Sequence, residues 1–145
     1  MRFPLVICSH NRLIVAPAGW FDSIGHLDAD QSSLRMNVSA LGPMGLSWFL
    51  DADGNFFKLV WQGVEPTGFL QMLRLKRPVE NYGIDSPKPI TVGQLRMLVA
   101  DTVEQFEEAP NSADLRSILS PLAETELVDR QLMSAYLGVA HEAAI

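Results

Sequence analysis

Residues 49–61 read FLDADGNFFKLVW, with two aspartates and a glycine set between blocks of aromatic and aliphatic side chains. Two chemistries compete for such a stretch. A calcium loop of the EF-hand type needs oxygen ligands at positions one, three and five, a glycine at six and a bidentate glutamate at twelve. With Gly54 at position six, those ligand positions fall on Phe49, Asp51, Asp53 and Val60. Phe49 and Val60 cannot coordinate, so the spacing excludes the cation loop. A hairpin fits better, because Asp-Gly is a strong two-residue turn signal between apolar strands. Such a turn opposes Leu50 to Phe57, Trp48 to Leu59 and Leu46 to Trp61, all on one face. Ser47, Phe49, Asp51, Phe56, Lys58 and Val60 take the other face. Side chains alternate with period two, so any even loop keeps this partition and an odd loop mixes it. An even loop is therefore expected, and the apolar residues on both faces place this hairpin inside a sheet covered on both sides.

Upstream, RFPLVIC and RLIVA are β-branched runs joined by Ser9, His10 and Asn11, a second hairpin. Pro4 cannot donate to a ladder, which predicts an edge position for the first strand. Residues 16–31 hold Pro17, Gly19 and Gly25 around Trp20 and Phe21, a partly packed irregular turn. LRMNVSA, residues 34–40, alternates Leu34, Met36, Val38 and Ala40 against Arg35, Asn37 and Ser39, a strand with one wet face.

Downstream of about residue 63 the pattern turns helical. Residues 67–76, between Pro66 and Pro78, suit a short buried helix as well as a strand, with the helix favoured, and residues 77–90, with Pro78, Gly83, Pro87 and Pro89, read as an extended loop. Thr91 with Gln94 forms a capping box, and Ile90 is placed to staple against Leu95. Val92, Leu95, Val99, Thr102, Val103 and Phe106 then form one helical stripe that ends before Pro110. A short helix over 114–119 and a longer one from Pro121 to about Val139 complete the chain. Strands before helices predict an α+β fold: an antiparallel sheet of about five strands, covered on one face by C-terminal helices. All 145 residues are expected to form one domain, mainly strands over 1–63 and mainly helices over 64–145.

Composition narrows the function. Hydrophobic residues make up 48% of the chain and charged residues 19%, too apolar for disorder. No apolar run reaches the roughly 20 residues that span a bilayer. Leu5, Val6 and Ile7 before Cys8 are shorter than a signal core and read as a strand. With a single cysteine no internal disulfide can form, and a reducing cytoplasm is expected. The net charge of −6 is concentrated at the end, where residues 101–145 hold nine acidic side chains against Arg116 and Arg130. That sign disfavours nucleic acid and anionic membrane and draws a basic protein partner, although an acidic face also serves solubility alone.

Candidate chemistry is sparse. His26, Asp28 and Asp30 alternate and share a face in an extended segment, the best metal constellation available. Cys8 and His10 have the residue types of a thiolate and its base, with no stretch that identifies an oxyanion site or an orienting group. The GPMG run at 42–45 lacks a lysine and precedes no helix, so it is no phosphate loop. Arg74, Lys76 and Arg77 are too few to outline a nucleic-acid surface. Trp20, Trp48, Trp61 and Tyr82 belong to a core or line a pocket, with Trp20 and Tyr82 expected in loops and most exposed. With no catalytic motif, no metal set and no cofactor expected, the reading is a non-catalytic protein-binding module, such as a small acidic inhibitor or immunity-type protein. Glu104, Glu107, Glu108 and Asp114 are its contact candidates. The alternatives are a carrier or sensor of an apolar small molecule and a small Cys/His hydrolase or transferase.

Overall fold

The computed structural model describes residues 1–38, 43–64, 78–103 and 111–143. Its strands are β1 (Leu5–Ser9), β2 (Arg12–Ala16), β3 (Gly25–Leu27), β4 (Ser33–Asn37), β5 (Leu46–Leu50), β6 (Asn55–Val64), β7 (Val79–Ile84) and the two-residue β8 (Lys88–Pro89). They form one antiparallel sheet in the order β2-β1-β5-β6-β7-β4-β3, with β8 beside the start of β6. The helices among the described residues are α1 (Val92–Val99), α2 (Ser112–Leu119) and α3 (Arg130–Ala143). The fold is α+β, with more strands than the five expected.

Of the three additional strands, β3 comes from residues 16–31, expected as an irregular turn, and β7 and β8 from residues 77–90, expected as an extended loop. Val79, Glu80, Tyr82 and Ile84 are buried, and β7 pairs with both β4 and β6. Pro78 stands just before β7 and Pro87 just after it, so neither removes a donor from its ladder. β7 and β8 are strands within the stretch after residue 63 that is expected to be mainly helical. Residues 67–76, favoured as a helix, lie outside the described residues.

The sheet curls, and apolar side chains collect on both of its faces. On one, Val6, Cys8, Trp48 and Leu50 pack with Val92, Leu95, Val99, Leu115, Leu119, Met133 and Tyr136 of the helices. On the other, Leu5, Ile7, Phe49, Phe57 and Leu59 meet Leu34, Met36 and Tyr82 from the far strands, with Phe21 contributed by the 3-10 turn at Trp20–Ser23. The curl lets the second face close on itself, so it needs no helix. β1 lies between β2 and β5, which corrects the edge position expected from Pro4; the proline precedes the strand and takes no part in its ladder.

The hairpin of residues 49–61 is the largest departure in register. Phe49 faces Phe57, Leu50 faces Phe56 and Trp48 faces Lys58, so the loop is odd. Asp51 N donates to Asn55 O at 3.0 Å and Gly54 N to Asp51 O at 3.0 Å, leaving Ala52, Asp53 and Gly54 as a three-residue turn. Gly54 has φ +88°, the left-handed third position such a turn requires. The Asp51 carboxylate decides the register. It is buried and accepts from Asp53 N at 3.0 Å and Asn55 N at 2.9 Å, an arrangement that needs the extra residue. The hairpin still lies inside the sheet, and Trp48–Leu50 of its β5 arm are covered on both faces, whereas Lys58, Val60 and Trp61 of the β6 arm are exposed, which corrects the expectation for that arm. Trp48 and Leu50 join the helix-side core, and Phe49 and Phe57 join the other.

The helices also differ in extent. Thr91 and Gln94 form the expected capping box, but α1 stops at Val99. Thr102 N and Oγ1 and Arg116 Nη1 all donate to Val99 O, while Val103 N turns to Asn11 O at 2.9 Å. Helical donation from Val103 is thereby diverted to the β1–β2 turn. The last helix begins at Arg130, not Pro121, because residues 124–128 have another task. Val92 N donates to Glu126 O, Gly93 N to Glu124 O and Val128 N to Ile90 O, beside the bridge of Thr91 with Leu127. This segment, a turn closed by Glu126 N on Ala123 O that leads into the Leu127 bridge, satisfies the first free N–H groups of α1, which no helical carbonyl can reach. Asp129 then caps α3, its Oδ1 accepting from Leu132 N at 2.9 Å.

Candidate functional site

The residues weighed as a Cys/His pair and as a metal set are placed in other roles. Cys8 is buried against the helices, and burial pushes its thiol pKa up against the opposing hydrogen bonds from the Asn11 backbone and the Ser47 side chain. A nucleophilic cysteine needs the opposite shift. His10 sits in the β1–β2 turn at φ +47°, with Nε2 2.6 Å from Pro43 O. That contact ties the turn to the segment before β5, as does His10 N donating to Gly45 O at 3.1 Å.

His26 and Asp28 form an exposed pair, Nε2 to Oδ1 at 3.6 Å. Asp28 Oδ2 also accepts from Ser33 Oγ, and Asp30 Oδ1 accepts from Ser32 N at 3.1 Å and Ser32 Oγ at 2.8 Å. The three alternating residues therefore serve the β3–β4 turn. Among the described residues no group of three His, Cys, Asp or Glu side chains is placed to hold a metal ion.

Asp51 and Asp53 act as a joint. Asp53 Oδ1 receives Arg2 Nη1 at 2.7 Å and Arg130 Nε at 2.8 Å, joining the N-terminal segment, the hairpin tip and the start of α3. The hydrogen bond from Arg130, with help from Arg2, holds the Asp53 carboxyl below its ordinary pKa. A Cβ on Gly54 would run into the Val128 carbonyl oxygen, so the tip fits against the lead-in to α3 only as glycine.

The aromatic residues fall differently from expectation. Tyr82 is fully buried, and Trp61 is the exposed one at 59%. Tyr82 lies in β7, where its hydroxyl donates to Glu80 Oε1 at 2.8 Å and accepts from Leu46 N at 3.3 Å. Glu80 is itself buried, its Oε2 accepting from Met44 N at 2.9 Å. Desolvation by burial, aided by the neighbouring carboxylate, pushes the Tyr82 phenol up to about 12. This buried pair fixes the entry to β5. Nothing in sequence marked it, because Glu80 lies in the stretch expected to be an extended loop.

Of the contact candidates, Asp114 is at the third position of α2, where its Oδ2 accepts from Asn111 N at 3.1 Å and its own N–H donates to Asn111 Oδ1 at 2.9 Å. It belongs to a capping box. Glu104, Glu107 and Glu108 lie outside the described residues. Glu124, Glu126 and Asp129, in the connection to α3, are exposed. Among the described residues no basic side chain lies within ion-pair distance of them, since the ion pairs formed are those of Asp53 with Arg2 and Arg130 and of His26 with Asp28.

The arginines nearest them are turned elsewhere. Arg96 Nη2 caps the end of α2, donating to Leu119 O at 2.5 Å, to Ser120 O at 3.0 Å and to Leu122 O. Arg116 Nη1 reaches Val99 O at 3.0 Å, and Arg130 is held by Asp53. Beside these acids runs a groove of about 310 Å³ with Ile118, Leu122, Leu127 and Leu132 among its walls and Glu126 and Asp129 on its border. A second, more polar recess of about 230 Å³ lies between Asp30, Gln31, Asn55, Phe57 and Asp85.

The chain matches no known protein family, no curated protein and no solved structure. No described helix is long and apolar enough to cross a membrane.

Proposed function

We propose that this protein is a non-catalytic binding module for a basic protein, acting as an inhibitor of the immunity type. The observation that supports this reading is the arrangement of charge around α2 and α3. The cations of that region are spent on its own backbone carbonyls and on Asp53, whereas Glu124, Glu126 and Asp129 face solvent with no described cation against them. Carboxylates left uncompensated in this way give a field that speeds encounter with a positive surface and fades with salt. Glu104, Glu107 and Glu108 belong to the same acidic third of the sequence and remain proposed contacts. Asp114 and Asp129 contribute less than the glutamates, because their carboxylates also cap α2 and α3.

The test is affinity capture on the immobilised full chain from a native lysate, at low and high salt, with identification of what elutes. The reading expects a basic protein held at low salt and released by high salt. Recovery of only neutral or acidic proteins, or retention indifferent to salt, overturns it.

A further inference from the structure

The acidic segment is more than a field, because an apolar groove is set directly against it. Residues 126–128 are pinned around a single β-bridge of Leu127 with Thr91 by Val92 N on Glu126 O at 2.8 Å and Val128 N on Ile90 O at 2.9 Å. Alternation then points Val128 into the core, where it is 5% exposed, and Leu127 outward, where it is 58% exposed. Leu127 is thus held in water by backbone bonds on both sides of it. It stands over Ile118 and Leu122, partly buried members of the helix-side core, and over Leu132 of the first turn of α3. The groove they form has the scale of a large aliphatic side chain with its flanking backbone, and Glu126 and Asp129 border it.

We propose that this groove docks a partner segment presenting a large aliphatic side chain flanked by lysine or arginine; the proposal rests on the basic-partner reading and names the contact. Charge complementarity selects the occupant. The two carboxylates repel acidic segments, and burial of Leu127 rewards an apolar anchor over a merely cationic one. The pinned backbone means that little ordering entropy is lost on the groove side when the anchor enters.

The experiment is a two-dimensional amide NMR titration of the full chain with a short synthetic peptide carrying two leucines one helical turn apart between lysines. Control peptides replace the leucines by alanine or the lysines by glutamate. The proposal expects shifts centred on Ile118, Leu122, Leu127 and Leu132, loss of binding for both controls, and roughly tenfold weaker binding to Leu127→Ala. Leu127 is exposed and its bridge to Thr91 is made by backbone, so this variant folds. Glu126→Lys is expected to weaken binding further and to flatten its salt dependence.

Salt-sensitive binding that is spread over other acidic residues and indifferent to Leu127→Ala overturns the groove while leaving the basic-partner reading in place. Absence of binding at low salt also overturns the groove, and the lysate capture then decides the broader reading alone. If raising the protein concentration without peptide shifts the same resonances, the occupant is a second copy and the assignment to a basic partner segment falls.

Discussion

Replacing Asp51 by alanine should weaken the fold more than its place in a surface hairpin implies. The carboxylate is 1% exposed and accepts four hydrogen bonds: from Asn55 N at 2.9 Å, Asp53 N at 3.0 Å, Arg2 N at 3.2 Å and Asn55 Nδ2 at 3.3 Å. A hydrogen bond to a charged acceptor contributes about 1.5–3 kcal/mol. The two short bonds hold the backbone of the tip and have no substitute within the turn, whereas Arg2 N and Asn55 Nδ2 can turn to water. Counting the short pair fully and discounting the rest for the carboxylate's own desolvation gives a loss of about 3–5 kcal/mol. Asp51→Asn keeps one oxygen for the short pair but presents an amide donor to two donors, for a smaller loss of about 1–2 kcal/mol. Urea unfolding followed by tryptophan fluorescence reads both, with midpoints falling in the order wild type, Asn, Ala at an unchanged m value. An alanine variant within about 1 kcal/mol of wild type would show that the carboxylate does not hold the turn.

Three further outcomes follow from the same geometry. Gly54→Ala and Gly63→Ala both place a side chain at positive φ, +88° and +96°, but only the first meets backbone, within 2.9 Å of the Val128 carbonyl carbon. Gly63→Ala should cost about 1–2 kcal/mol and Gly54→Ala clearly more in urea unfolding; equal costs would mean that the hairpin tip does not seat against the lead-in to α3. Tyr82 has a folded pKa of about 12, above the ordinary 10.0, so its protonated form is favoured by folding. Its contribution is full below pH 10.0 and lost as pH rises toward about 12, and Tyr82→Phe should abolish that alkaline component in stability measured against pH. Asp53 has its pKa lowered, so its contribution is present above the ordinary 3.8 and lost as pH falls through the depressed folded value. A carboxyl NMR titration should place Asp53 below 3.8 and show it rising in Arg130→Ala; no rise would remove Arg130 as the cause.

Elements whose periodicity and turn residues agree were legible in the sequence. The first hairpin, the alternation of Leu34 and Met36 against Arg35 and Asn37, and the Thr91–Gln94 capping box each carry a local signal that tertiary structure left in place. The odd loop at Asp51 was not legible, because Asp-Gly signals a turn without fixing its length and the buried carboxylate that selects three residues is a tertiary fact. β7 was hidden by flanking prolines and by Glu80, whose burial depends on Tyr82 and Met44. Residues 124–128 looked helical because the partners that draw them into the turn and β-bridge, Ile90, Thr91, Val92 and Gly93, are about 35 positions earlier. The same distance concealed the groove: exposure of Leu127 follows from that bridge and from nothing in its neighbours.

In the proposed function the carboxylates near α3 act as a steering surface. The most direct measurement is the association rate of the captured basic protein, followed by stopped flow across a series of salt concentrations, for wild type and for Glu124→Lys/Glu126→Lys. The wild-type rate should fall steeply with salt, and the variant should associate more slowly at low salt with a visibly shallower dependence. Superimposable rates for the two proteins across the series would contradict the proposed function.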